Sequence, residues 1–214
     1  MIIFSKNYKP SNTSFHALHH VGGLLNKPHE STIHFIAEQV NQSHKSRWNF
    51  IDIYTGKYGG YTFFYDMMGN RTQFRAVGAE TAANKNWNYD GVVISHCFAG
   101  NFTKHPITGA LIDYPTGKQI ESYQATLKEL NEAGVKVILE NHKPHRFFNQ
   151  TECYGNGLTD EWAKEISKGF EAEDERMRIQ KLIDLIYLQL LELKKLLSLK
   201  LGGSLPKCED SARD

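Results

Sequence analysis

A chain of 214 residues fits one domain with an appendage. Apolar residues make up 40% of it and aromatic residues 12%, enough to build a core, which excludes a largely disordered chain. Lys and Arg number 25 against 24 Asp and Glu, so bulk charge gives no reason to expect a nucleic-acid partner.

The opening stretch MIIFSKNYKPSNTS has no long apolar run and no small-residue cleavage site. The expectation is a chain made and left in the cytoplasm. The cysteines are Cys97, Cys153 and Cys208. An odd count without a secretion signal argues against a disulfide framework and favours metal binding or burial.

Residues 14–20 (SFHALHH) alternate weakly and run into Gly22-Gly23, the pattern of a short strand ending in a turn. Ile33, Ile36, Ala37 and Val40 fall at helical spacing and predict a helix over residues 31–45. Residues 61–66 (YTFFYD) read as a strand. Met68-Gly69-Asn70 reads as a turn, and residues 72–77 as the strand that pairs back. The apolar run 91–98 suits a buried central strand. Residues 101–118 hold Pro106, Gly109, Pro115 and Gly117 and read as a loop. Ile120, Tyr123, Leu127 and Leu130 predict a helix over 118–133, stopped by Gly134. Residues 135–139 (VKVIL) read as the next strand, 140–158 as a polar loop, and Thr159-Asp160-Glu161-Trp162 as a helix start. Strands and helices intermix, so the expected class is α/β, a central mixed β-sheet flanked by helices.

Past Phe170 the composition changes. Residues 171–178 are dense in charge. Ile179, Ile183, Ile186, Leu190, Leu193 and Leu197 then recur in alternating steps of four and three, a heptad seam. The division expected is a domain over 1–170, a C-terminal leucine-rich helix over 171–202 closed by Gly202-Gly203, and a disordered tail over 203–214. Such a helix cannot stay bare. Self-association into a homo-oligomer through 179–199 ranks first, docking back onto the domain second, and membrane contact through Lys181, Lys194, Lys195 and Lys200 third. Asp184, Glu192 and the lysine pair argue against a membrane span.

A catalytic zinc needs three protein ligands and one open position. His142-Lys143-Pro144-His145-Arg146, followed by Thr151-Glu152-Cys153-Tyr154-Gly155, offers an imidazole and a thiol on one loop. The third ligand must come from elsewhere, and His19 and His20 at the end of the first strand are the best donors.

Four blocks resemble, in order, the type-2 N-acetylmuramoyl-L-alanine amidase family of phage amidase endolysins and animal peptidoglycan recognition proteins. They are HHVGG, GYTFFYDMMGNRTQFR, GAETAANKNWNYDGVVISHCFAGNF and HRFFNQTECYG, spread over residues 14–162. The resemblance implies a type-2 amidase-like mixed sheet with flanking helices. It also implies hydrolysis of the bond between N-acetylmuramic acid and L-alanine in bacterial peptidoglycan. It places the Zn2+ ligands on His19, His145 and Cys153. It puts the catalytic tyrosine on Tyr61, and on Thr151 the residue that helps polarise the scissile carbonyl. The chain departs from the family in three places. Pro144 precedes His145 where the family has glycine, Tyr154 follows Cys153 where it usually has proline, and Glu80 stands where it has a histidine near the substrate.

The plain readings stand beside these. His20 competes with His19 for the ligand role, and His142 with His145. Cys153 alone reads as a small buried hydrophobe, and Tyr61 alone as a packing aromatic. His16, His29, His34, His44 and His105 read as surface residues, and His96 and Cys97 as core-facing. Trp48, Trp87 and Trp162 read as packing residues, with Trp87 also placed to stack on a sugar. Two functions follow: a phage-type endolysin that acts on the wall after release, or a recognition domain that binds muropeptides without cutting them. The retained cysteine favours the enzyme.

Overall fold

The computed structural model describes residues 1–6, 8–9, 14–83 and 92–200, with side chains in its last helix at 168, 169, 179, 180 and 182–197. Two compact units divide the chain, Met1–Glu171 and Ala172–Asp214. Trp87, Cys208, Gly202-Gly203 and the tail over 203–214 lie outside the described residues.

In the first unit the elements run β1 (Phe15–His20), α1 (Ala37–Trp48), β2 (Phe63–Tyr65), β3 (Arg71–Gln73), β4 (Val93–Phe98), α2 (Gly117–Glu132), β5 (His142–Pro144) and α3 (Trp162–Glu165). The sheet has the order β3-β2-β4-β1-β5. β1 lies parallel to β4 and β5, β2 is parallel to β4, and only β3 runs antiparallel. This is the mixed α/β sheet that the alternation of segments implied.

β1 and β4 are buried along nearly their whole length, as central parallel strands covered on both faces must be. Successive side chains point to opposite faces. Leu18, Phe63, Tyr65, Ile94 and Phe98 join Tyr123, Leu127 and Leu130 of α2 in the larger core cluster. Phe64 and Cys97 join Val40 of α1, Phe74 and Ala99 in a smaller one. A sheet residue's register therefore decides which helix it meets.

α2 is capped by Thr116, whose side chain accepts from the Gln119 amide. Buried Gln119 donates in turn to the Tyr65 and Ala99 carbonyls at 3.1 and 2.9 Å, tying the helix to the C-terminal ends of β2 and β4. Gly134, at φ 87, ends α2 in the left-handed turn that glycine adopts most cheaply.

Three expectations need correction. The first helix starts at Ala37, not at 31. Before it, Thr32 donates its amide to Asp113 and its hydroxyl to the Gly22 carbonyl, which holds the chain in a turn. The returning strand of the hairpin ends at Gln73. Beyond it, Arg75 turns inward and donates to the Gly59, Glu80 and Phe50 carbonyls. Residues 135–139 are not a strand. The Val135 amide closes the end of α2 on Leu130 at 2.9 Å, so it is not available to a sheet. The strand forms instead at His142–Pro144, at the sheet edge where a proline is tolerated.

In the second unit, α4 (Lys168–Lys200) is one continuous helix that begins at the end of the first. No described helix is long and apolar enough to cross a membrane.

Candidate metal centre

His19 is the fifth residue of β1, in register with Cys97 of β4, on the sheet face that looks toward α1. His20 points the other way. Its Nδ1 accepts from the Phe102 amide at 2.9 Å and its ring packs on Phe102. Burial pushes its pKa down to about 3, so it is held as a neutral acceptor. Strand alternation thus separates the two adjacent histidines.

The same separation applies to His142 and His145. His142, on β5, stacks on His16 at 4.5 Å beneath α2. His145 opens the single 3-10 turn that follows β5, and its ring comes back over the sheet to within 4.3 Å of His19. Cys153 closes the cluster from the next loop, with Sγ 3.8 Å from His19 Nδ1. One donor atom from each of His19, His145 and Cys153 lies within 4.8 Å of the other two.

The donor set fits a divalent metal. Ligands on a common tetrahedral zinc, with bonds of about 2.1 Å to nitrogen and 2.3 Å to sulfur, sit about 3.6 Å apart. The Cys153–His19 separation of 3.8 Å is close to that. Imidazole and thiolate are the ligands zinc prefers.

The backbone that sets this geometry is cross-tied. The Arg146 amide donates to the Cys153 carbonyl at 3.2 Å. The Arg146 guanidinium donates to the carbonyls of Gly155 and Leu158 and to the Asp160 carboxylate, and lies over the Tyr154 ring. Thr151 Oγ1 accepts from the Cys153 amide at 3.3 Å. Gly155, at φ 85, packs so tightly that an added Cβ would fall 2.3 Å from the Phe102 carbonyl oxygen. Tyr154 follows Cys153 through a cis peptide and is fully buried against Trp162.

The three donors open into a cleft of about 310 Å³. Tyr61, Thr151, Glu152, Trp48 and His44 are among the residues around it. Tyr61 packs on His19 with ring centroids 5.2 Å apart, and burial pushes its hydroxyl well above the ordinary phenol value. Like any phenol it bears its proton at neutral pH. His44 stands behind it at 5.4 Å, accepts from the Gly60 amide at 2.8 Å, and is covered by Trp48. Glu80 does not line this cleft. It borders a separate cavity with Arg75 and Asp52.

Two histidines expected at the surface are buried, His16 and His44. His44 was findable, because it continues the apolar stripe of α1 one turn beyond Val40. His16 was findable from the β1 alternation that also buries Leu18. Arg146 carried no sequence signal for its bracing role, since three of its partners follow it at irregular spacings. Trp48 packs as expected and also stands at the cleft mouth.

No family model matches the sequence, and no curated protein matches it. Among solved structures the chain is similar to peptidoglycan recognition protein-LE in complex with tracheal cytotoxin, a monomeric diaminopimelic acid-type peptidoglycan. The identity is 16% and the TM-score 0.50, over 76% of this chain and 86% of that one. It is also similar to Drosophila peptidoglycan recognition protein SA, at 16% identity and TM-score 0.49, over 75% and 83% of the two chains. A third is the N-acetylmuramoyl-L-alanine amidase LysC from Clostridium intestinale URNW, at 19% identity and TM-score 0.48, over 77% and 92%. The likeness to the first is one of fold.

Proposed function

We propose that this protein is a zinc-dependent amidase of the type-2 family, of the phage endolysin kind, which hydrolyses the bond between N-acetylmuramic acid and L-alanine in bacterial peptidoglycan. The observation that carries this reading is the convergence of His19, His145 and Cys153 at the floor of an open cleft beside Tyr61. The four sequence blocks that resemble the family support it from a separate direction.

His19, His145 and Cys153 would hold the ion. When bound, zinc supplies Lewis acidity to a carbonyl and makes water a nucleophile near neutral pH. The chain's own residues do the rest. Tyr61, a phenol that keeps its proton at neutral pH, donates a hydrogen bond toward the carbonyl oxygen as negative charge gathers there. Thr151 accepts from the Cys153 amide, which leaves its own O–H to donate into the cleft. His44 packs on Tyr61 and is itself covered by Trp48. The open wall of the cleft admits a polymer from outside, as a cell-wall substrate requires.

Metal analysis of the purified protein, paired with clearing of a cell-wall suspension, tests the reading. One zinc per chain and clearing are expected. Zinc without clearing favours the alternative reading, a peptidoglycan-binding domain that does not cut. Absence of bound metal overturns the hydrolase.

A further inference from the structure

We propose that copies of this chain assemble with one another along one apolar face of α4. Unlike the amidase reading, on which this does not rest, the inference comes from the second unit alone.

At 100° per residue, Ile179, Ile183, Ile186, Leu190, Leu193 and Leu197 form a narrow seam. Leu182, Leu185 and Leu196 extend that seam on one flank to an arc of about 160°. Lys194, Lys195, Asp184, Glu192 and Gln180 lie on the opposite arc, with Tyr187, Leu188 and Leu191 among them, and Gln189 falls on the flank of the apolar arc between Leu182 and Leu196. All nine apolar residues are between 48% and 59% exposed. That leaves on the order of 800 Å² of apolar surface per chain, one partner's share of a standard protein interface. A monomer rarely leaves so much clustered apolar surface in water.

The shape of the arc says what covers it. The seam repeats in steps of four and three, the spacing by which one helix accepts the side chains of another of the same pattern. A second copy therefore supplies a matching surface. The seam is also self-complementary when reversed, because Ile179 then meets Leu197, Ile183 meets Leu193, and Ile186 meets Leu190. Its length is under three heptads, short for a two-stranded coil. Leu182, Leu185 and Leu196 remain exposed beside a two-stranded seam and are covered in a bundle of three or four helices, and isoleucine at both seam positions of the first half favours such bundles. A lipid surface is a poorer occupant. Asp184 and Glu192 oppose anionic headgroups, and a membrane-surface helix carries a more strongly basic polar face.

Sedimentation of the full-length protein over a wide concentration range tests this. Wild type is expected to sediment as an assembly of two or more chains. The double variant Ile183→Lys with Leu190→Lys, within the arc, is expected to sediment as a monomer. Leu188→Lys, on the opposite arc, is expected to keep the wild-type mass. A wild-type monomer overturns the proposal, whether or not it pellets with phosphatidylglycerol vesicles. So does an assembly that survives the double variant, or one that Leu188→Lys disrupts equally.

Discussion

The main-chain amide of Arg146 donates to the carbonyl of Cys153 at 3.2 Å, so the residues next to one candidate ligand are pinned to the other. The bond joins the turn after β5 to the loop that carries the thiol. It holds two segments in register that are separated by a stretch of irregular chain. The guanidinium of the same residue then braces the far side of that loop through Gly155, Leu158 and Asp160.

Replacing Arg146 by Ala leaves the amide bond in place and removes the brace. The Gly155 and Leu158 carbonyls lose their donors, and the loop holding Cys153 loosens. Zinc affinity is expected to fall about 10- to 100-fold, the usual effect of losing a group that orients a ligand. Stability is expected to fall by about 2 kcal/mol. Competition with a chelator and calorimetry measure the two effects. Zinc affinity equal to wild type would remove Arg146 from the account of the site.

Tyr61→Phe keeps the ring that packs on His19 and removes the hydroxyl. Turnover is expected to fall about 10²- to 10³-fold, as when one donor to a developing oxyanion is lost. Zinc content and melting temperature are expected to stay at wild-type levels. Activity surviving the change would show that the hydroxyl has no part in the reaction.

The two adjacent histidines of β1 give opposite variants. His19→Ala is expected to abolish stoichiometric zinc binding. His20→Ala is expected to keep it but to cost about 1–3 kcal/mol, because the buried Phe102 amide loses its acceptor. Metal analysis beside thermal unfolding separates them. The reverse pattern would place the ligand on the wrong face of the strand.

Beneath α2, three imidazoles, His16, His96 and His142, pack against one another. His16 Nδ1 meets His96 Nε2 at 3.0 Å, and His96 Nδ1 meets the Tyr65 hydroxyl at 2.8 Å. His142 stacks on His16, and Tyr123 packs edge-on to His96 and His142. Burial holds the pKa values of His16 and His96 well below the ordinary histidine value. Burial also lowers His142 to about 4. These groups bind protons more readily when the chain is unfolded, so stability is complete above about pH 6.5 and falls as pH drops toward 4. His142 alone accounts for about 3 kcal/mol over that window. Urea unfolding from pH 8 to pH 4 should show the fall, and His142→Leu should reduce it by about 3 kcal/mol, the rest being carried by His16 and His96. A flat wild-type profile would contradict neutral burial of the cluster.

Much of this architecture was legible in the residues, for physical reasons that differ from element to element. β4 was legible because an apolar run bounded by glycine has few other uses, and β1 from its weak alternation ending in a glycine turn. α2 was legible from its stripe and its glycine stop. The shift of the fifth strand from 135–139 to His142–Pro144 was not, because it depends on the Val135 amide closing a helix and on pairing along β1. The convergence of His19, His145 and Cys153 is a tertiary fact. Spacing suggested the last two, and the choice of His19 over His20 needed strand alternation. The bracing by Arg146 needed the folded loop.

The most direct test of the metal centre is X-ray absorption of the zinc-loaded protein. One sulfur at about 2.3 Å and two imidazole nitrogens at about 2.0–2.1 Å are expected, with a lighter oxygen neighbour completing four ligands. The sulfur contribution should vanish in Cys153→Ser. A zinc shell without sulfur in the wild-type protein would contradict the site.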